Sequence, residues 1–245
     1  MCTAEEKYDM ETAAAWILGH ARRTGIPVLP DRLRQKTAGE CSRAERRQIV
    51  DAGLAAGLKL YPFKNSTQTL ARTQRTLGFL RSISFESMLD VGSGRGVFLI
   101  PFMKAFPGIR VTALDLAEKR IEFLNELADG GFRQLKAVRA DIRDRCFPDD
   151  SFDVVCMLEV LEHIPEVKRA VESAVRTARR FVVVTVPSKP DSNPEHIHLL
   201  TKEKLTRMFT DAGCGRLHFD GVEGHLFMIA AVGKQEETNP AGERL

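Results

Sequence analysis

Met88-Leu89-Asp90-Val91-Gly92-Ser93-Gly94-Arg95-Gly96 joins an apolar strand end to an acid and then to three glycines on alternate positions, ahead of Val97-Phe98-Leu99-Ile100. Glycine lets the chain turn with positive φ and leaves no Cβ between the main chain and a ligand. A helix following such a loop presents unpaired N–H groups at its N-terminus. Asp90, Gly92, Ser93, Gly94 and Gly96 therefore read as a cradle for a nucleotide-like cofactor. The spacing narrows the ligand. A dinucleotide fingerprint runs G-x-G-x-x-G, but Val97 stands where its third glycine belongs, and an acid precedes the loop. That acid repels a pyrophosphate and suits a ligand carrying positive charge.

Outward from the loop, strand patterns near 87–91, 109–115, 134–139, 152–158 and 180–186 alternate with helical patterns near 96–106, 117–128 and 166–178. This alternation predicts an α/β doubly wound, Rossmann-like sheet, mostly parallel. A helix near 201–212 and an apolar pair at 215–221 and 225–232 predict an antiparallel hairpin at the sheet edge. Upstream, helices are expected from Thr3 to Thr24, from Ser42 (with Glu45 completing a capping box) to Leu58, and from Ser66 to Arg81. The expected organisation is a basic N-terminal helical cap over 1–82, a catalytic-type domain over 83–232 and a disordered polar tail over 233–245.

The 245 residues, 43% hydrophobic and 28% charged, suit a globular chain, and no apolar run is long enough to span a bilayer. Five scattered cysteines at 2, 41, 146, 156 and 214 form no C-x-x-C pair, which fits a reducing cytoplasm. The net charge of +3 conceals a surplus: residues 20–81 hold 13 Lys or Arg against 4 Asp or Glu. Such a segment attracts an anionic small molecule or nucleic acid, unless it is only a solvated helical surface.

D-x-G-x-G-x-G after a strand resembles motif I of the class I S-adenosylmethionine-dependent methyltransferases. The resemblance implies their seven-stranded sheet and S-adenosylmethionine as cofactor. Asp115 closes the second strand about 20 residues past the loop, at the distance of an acid that accepts both ribose hydroxyls, with Leu116 beside it. By resemblance, Asp141 receives the adenine amine, Ile142 packs on the ring, and the segment from Leu158 to Pro165 lines the reaction centre.

Glu159-Val160-Leu161-Glu162-His163 places carboxylates at i and i+3 and an imidazole at i+4, one face of a helical turn. His196 lies beyond strand five and should return to the same end of the sheet. Glu159, Glu162, His163 and His196 form a candidate site for Mg or Zn, and without metal His163 or His196 is the candidate general base. The pattern is similar to the metal set of the small-RNA 3′-terminal 2′-O-methyltransferases and to the loop of ubiquinone-pathway O-methyltransferases, although Leu199-Leu200-Thr201 departs from the former. His20, His198, His218 and His225 show no partner pattern, and Trp16, Tyr61 and Phe63 are either substrate-cap or packing residues.

The leading expectation is methyl transfer to a small-molecule acceptor, anionic in keeping with the basic segment, with oxygen the foremost acceptor atom. One alternative is an RNA methyltransferase whose Arg22, Arg23, Arg43, Arg46, Arg47, Arg72 and Arg75 contact phosphates. Another is a non-catalytic methyltransferase-like binding protein, whose mark would be a damaged motif I; here Asp90, Asp115 and all three glycines stand intact.

Overall fold

Apolar runs without alternation form parallel strands buried on both faces. In the computed structural model, which describes residues 7–65 and 69–233, these are β1 (Ser87–Val91), β2 (Arg110–Asp115), β3 (Leu135–Arg139), β4 (Phe152–Leu158) and β5 (Ala178–Pro187). An antiparallel pair, β6 (Cys214–Val222) and β7 (His225–Val232), completes a seven-stranded sheet of order β3-β2-β1-β4-β5-β7-β6. The Rossmann-like methyltransferase architecture expected above is the one observed. Strand boundaries differ from the expected ones by two residues at most. The tail expected from 233 onward lies, beyond Gly233, outside the described residues, as do positions 3–6 and 66–68 of the predicted helices.

The chain divides into two compact units, through Asp141 and from Ile142. In the first, β1 pairs with β2 and β2 with β3, all parallel, so Val91 lies beside Leu114 and Asp115 beside Arg139 at the carboxyl ends. Among the described residues this unit has six α-helices: α1 (Met10–Thr24), α2 (Asp31–Arg34), α3 (Arg43–Ala55), α4 (Ala71–Arg81), α5 (Leu99–Ala105) and α6 (Glu118–Asp129). Helix α1 starts later than predicted because the buried Asp9 carboxylate caps it, accepting from the Thr12 N–H and hydroxyl, and it ends at Gly25, whose φ is +78°. The predicted capping box is present on α3, where Ser42 and Glu45 satisfy each other's backbone N–H groups. Helix α5 begins three residues later than expected, since Val97 and Phe98 still belong to the turn that leaves the glycine loop.

Helix α1 lies against α6 at backbone distance. A Cβ on Gly19 would sit 1.8 Å from the Glu126 carbonyl oxygen, and one on Gly130 would sit 1.7 Å from that of Ala15. The Glu126 carboxylate accepts from the Trp16 indole N–H at 2.7 Å and lies 2.7 Å from His20 Nδ1. The N-terminal helix is thus fastened to the strand-bearing part of the unit by buried polar bonds as well as by apolar area.

In the second unit, β4 and β5 run parallel and β7 runs antiparallel to both β5 and β6. Helix α7 (Val167–Thr177) links β4 to β5, and α8 (Lys202–Asp211), capped by the Thr201 hydroxyl, precedes the hairpin. Leu158 pairs with Thr185, and Pro187 with His225, so the end of β4, the end of β5 and the start of β7 share one edge.

The close approach at Gly19 makes an opposed pair of substitutions informative. Gly19→Ala should destabilise the chain by about 1–3 kcal/mol or more through overpacking. Gly78→Ala, in an exposed turn of α4 where an added Cβ meets nothing within 4 Å, should stabilise it by about 0.5–1 kcal/mol. Urea unfolding of both variants checks the sign of each change.

Candidate active site

The first unit builds the glycine cradle. Val91 leads directly into a loop whose Gly92 and Ser93 N–H groups both donate to the Leu114 carbonyl, at 2.7 and 3.2 Å, stitching it to the end of β2. Gly92, Gly94 and Gly96 adopt φ of +67°, +57° and +76°, a region that costs any L side chain about 1–2 kcal/mol. A Cβ on Gly94 would meet nothing nearer than the Gly92 carbonyl at 3.8 Å, so this turn faces open space. The loop fits a ligand that must approach the main chain closely.

Asp115, only 4% exposed, closes the loop from the side of β2. Its Oδ2 accepts from the Gly94 N–H at 2.9 Å and from Arg120 at 3.3 Å, and its Oδ1 accepts from the Ala117 N–H at 2.9 Å. Leu116, next in sequence, is 61% exposed. Asp141 follows β3 half-buried, and Ile142 after it is buried. Asp90 is buried at the end of β1, and burial pushes its carboxyl up to about 7; the Ser93 hydroxyl opposes that rise and the Asp115 charge adds to it.

In the second unit, Leu158 ends β4 half-buried, and Glu159 follows with φ +59°, a strained setting for a residue with a side chain. The spacing of Glu159, Glu162 and His163 predicted one helical face, yet the helical geometry covers only a 3₁₀ turn over Leu161–His163. Glu159 is therefore outside the cluster expected of it. Its Oε1 accepts from the Thr185 hydroxyl at 2.8 Å, and its Oε2 lies 2.9 Å from His225 Nε2. Glu162, His163 and His196 do come together, with one ligating atom from each lying within 4.8 Å of the others.

The loop after β5 holds that group in place. The carbonyl of the fully buried Glu162 accepts from the N–H groups of Ile197 and His198, at 3.0 and 3.3 Å. His163 Nδ1 lies 2.9 Å from the Glu195 carbonyl and His196 Nδ1 2.7 Å from Asp191 Oδ2; the two rings stand 4.8 Å apart, edge to face. With each Nδ1 placed to donate, the neutral rings carry their lone pairs on Nε2. Asp191 is held below the usual carboxylate range by the Asn193 N–H and then by His196. These contacts orient imidazoles in the manner of outer-shell groups around metals. His198 Nε2 donates to the Ile164 carbonyl, 3.0 Å away, and stands apart from this arrangement. His225, Thr185 and Asp191 had no sequence signal; the hairpin register opposite β5 was the available clue for His225.

Because Asp90 is protonated in the fold at pH values where the unfolded chain has lost that proton, its contribution to stability is full below about pH 4 and declines as pH rises through about 7. Asp90→Asn should accordingly lose less stability than the unaltered chain between about pH 5 and about pH 8, as read from urea unfolding at each pH. Equal losses would place the proton elsewhere.

Residues 89–181 match the family described as methyltransferase domain. Two curated relatives are 27-O-demethylrifamycin SV methyltransferase of Amycolatopsis mediterranei, 27% identical over 63% of this chain and 60% of the relative, and ubiquinone biosynthesis O-methyltransferase of Chromobacterium violaceum, 28% identical over 58% and 69%. The first match thus spans less than two thirds of the relative's length. A solved S-adenosylmethionine-dependent methyltransferase from Aquifex aeolicus shares the fold at a TM-score of 0.56, with 19% identity over 68% of this chain and 92% of that one. Sheet order, glycine loop and the match over residues 89–181 agree on the Rossmann-like fold of the class I S-adenosylmethionine-dependent methyltransferases.

Proposed function

We propose that this chain methylates an oxygen of a small-molecule acceptor, with the donor seated on the glycine loop of the first unit. The observation that carries the reading is the open turn at Gly94 flanked by Asp90 and Asp115, a cradle without side chains that faces two acids. The bound cofactor supplies an activated methyl sulfonium, so the protein's share is chiefly positioning. Asp115 exchanges its hold on Gly94 and Arg120 for ribose hydroxyls, Leu116 and Ile142 offer apolar surface to the base, and Asp141 accepts from its amine. The oxygen preference rests on the two relatives, whose names specify the methylation of a demethylrifamycin and an O-methylation in ubiquinone biosynthesis.

The second unit supports a metal-assisted form of this reaction. Glu162, His163 and His196 offer one oxygen and two nitrogens, a donor set that suits zinc or a similar transition ion better than magnesium, which prefers oxygen ligands alone. A cation there would lower the pKa of an acceptor hydroxyl. His163 or His196 serves as general base if the site works without metal. The group is proposed with three residues, since Glu159 is engaged by Thr185 and His225.

The RNA alternative finds less support. Arg22 is spent on the Arg34, Lys36 and Asp129 carbonyls, Arg23 on Asp129, Arg46 on the Ala38 carbonyl and Glu11, and Arg47 on Asp51. Arg22, Arg23 and Arg46 lock the N-terminal helices to one another and to α6, whereas the Arg47 pair lies within α3. No helix among the described residues is long and apolar enough to cross a membrane. Residues 1–82 are proposed to form the cap on the acceptor side, and the cytoplasm is the proposed location.

Calorimetric titration with S-adenosylhomocysteine tests the cradle: Asp115→Ala should weaken binding by roughly 10- to 100-fold, the loss of charge-assisted hydrogen bonds. Mass spectrometry of hydroxylated small molecules incubated with enzyme and donor should reveal the gain of one methyl group. For the metal, zinc content after dialysis should fall sharply in His196→Ala, fall about 10- to 100-fold in affinity in Asp191→Asn, and stay unchanged in Glu159→Gln. Retention of zinc by all three variants would refute the site.

A further inference from the structure

β6 is the last strand of the sheet, so along Cys214–Val222 only one backbone edge is paired, with β7. Among the described residues no strand lies beside its other edge. Such an edge is a template for a further strand, and chains commonly blunt it with like charges, proline or a bulge. The opposite end of the sheet follows that rule: β3 carries Lys136 and Arg139 and no acid. β6 is bulged only near its start, and from Arg216 to Val222 its register with β7 is continuous. It has no proline, and its two formal charges, Arg216 and Asp220, are of opposite sign.

The side chains of this strand are symmetric in kind about His218. Leu217 mirrors Phe219, Arg216 mirrors Asp220, and Gly215 mirrors Gly221. Antiparallel pairing of two such strands about His218 sets Arg216 of each copy opposite Asp220 of the other, Leu217 opposite Phe219, and His218 opposite its own counterpart. Directly opposed residues share a face with Cα atoms about 4.5–5.5 Å apart. The alternation of a strand puts Arg216, His218 and Asp220 on one face and Leu217 and Phe219 on the other. One face thus gains two ion pairs and the other two apolar pairs. Arg216 and His218 are exposed, and Arg216 makes no ion pair among the described residues. Asp220 of the same strand lies about 13 Å along it, out of reach of Arg216. Asp220 accepts from the Gly221 N–H at 2.8 Å, and a carboxylate accepts several bonds at once. The strand is held in shape by β7 and by α8, whose Lys202 Nζ stands 5.3 Å from the centre of the Phe219 ring.

We propose that the free edge of β6 is a self-association surface, on which a second copy of this chain pairs its own β6 in antiparallel fashion about His218, joining the two sheets across a two-fold axis. A two-fold contact requires a patch complementary to itself, and the opposed signs of Arg216 and Asp220, equally spaced from His218, meet that requirement. The inference is independent of the cofactor and acceptor readings above.

Sedimentation velocity of the full chain over about 1–100 μM should show a concentration-dependent dimer. Arg216→Asp and Asp220→Arg, each of which sets like charges opposite one another, should each weaken it at least about tenfold, and the double reversal should restore it to within about threefold. Because the two positions cannot meet within one strand, that recovery can arise only between copies. In a Cys2→Ser, Cys146→Ser background, His218→Cys should give a covalent dimer under copper–phenanthroline oxidation, since directly opposed residues lie within disulfide reach. Arg216→Cys alone should not, whereas mixing it with an Asp220→Cys chain should give the covalent heterodimer. A chain that stays monomeric throughout the range overturns the proposal, including the case in which the edge serves an extended segment of a different protein. A dimer that ignores both single reversals and leaves His218→Cys uncrosslinked overturns it as well, by placing the interface elsewhere. So does a double reversal that keeps the circular dichroism of the unaltered chain yet fails to restore the dimer.

Discussion

The carboxylate of Asp115 is the constraint on which the first unit's site depends. It accepts from Gly94 in the loop after β1 and from Ala117 at the entry to α6, so one side chain sets the spacing between two strand ends. Both bonds are charge-assisted and nearly buried, which makes them stronger than neutral ones. The loop they restrain contains three left-handed glycines that would otherwise sample many conformations. The second carboxyl, Asp90, resists ionisation because it is buried, and the nearby Asp115 charge adds to that resistance. A ligand with positive charge relieves the resistance of Asp90 to ionisation, which connects the electrostatics of the cradle to the kind of molecule it suits.

The second unit solves a different problem, that of holding imidazoles still on a loop. The segment after β5 carries Asp191, Asn193 and Glu195, and successive side-chain to backbone bonds fold it into tight turns that end at His196. Glu162 ties the loop down through its carbonyl, and the loop in turn orients His163 through Glu195. Each histidine therefore spends Nδ1 on structure, which is why a pair of rings on irregular backbone can present defined Nε2 lone pairs. Glu159 belongs to a separate pairing with Thr185 and His225, at a strained backbone position on the same strand edge.

Much of this was legible locally. The alternation of strands and helices, the capping box at Ser42 and the edge hairpin all follow from patterns within a few residues, and each appears in the fold within two or three residues of its expected place, the first turns of α1 and α4 and the last of α3 aside. The glycine loop was legible because positive φ has a residue-level signature. The Glu159 position was misjudged because helical spacing was assumed through a segment where the chain enters the left-handed region before a 3₁₀ turn. The basic surplus of residues 20–81 was visible as a count, but the count could not show that Arg22 is spent on three backbone carbonyls and Arg23 on Asp129.

By itself, then, the sequence determined the parallel α/β order, the place of the glycine loop and the acids that flank it, because these depend on backbone conformation and burial period, properties a residue carries with it. Only the tertiary structure decided which groups meet: Trp16 and His20 with Glu126, His225 with Glu159, Arg95 with Tyr61, and His196 with Asp191 beside His163. The physical reason is reach. Propensity and capping act over about four residues, whereas most of these pairs are set by strand register and helix packing between segments far apart in the chain.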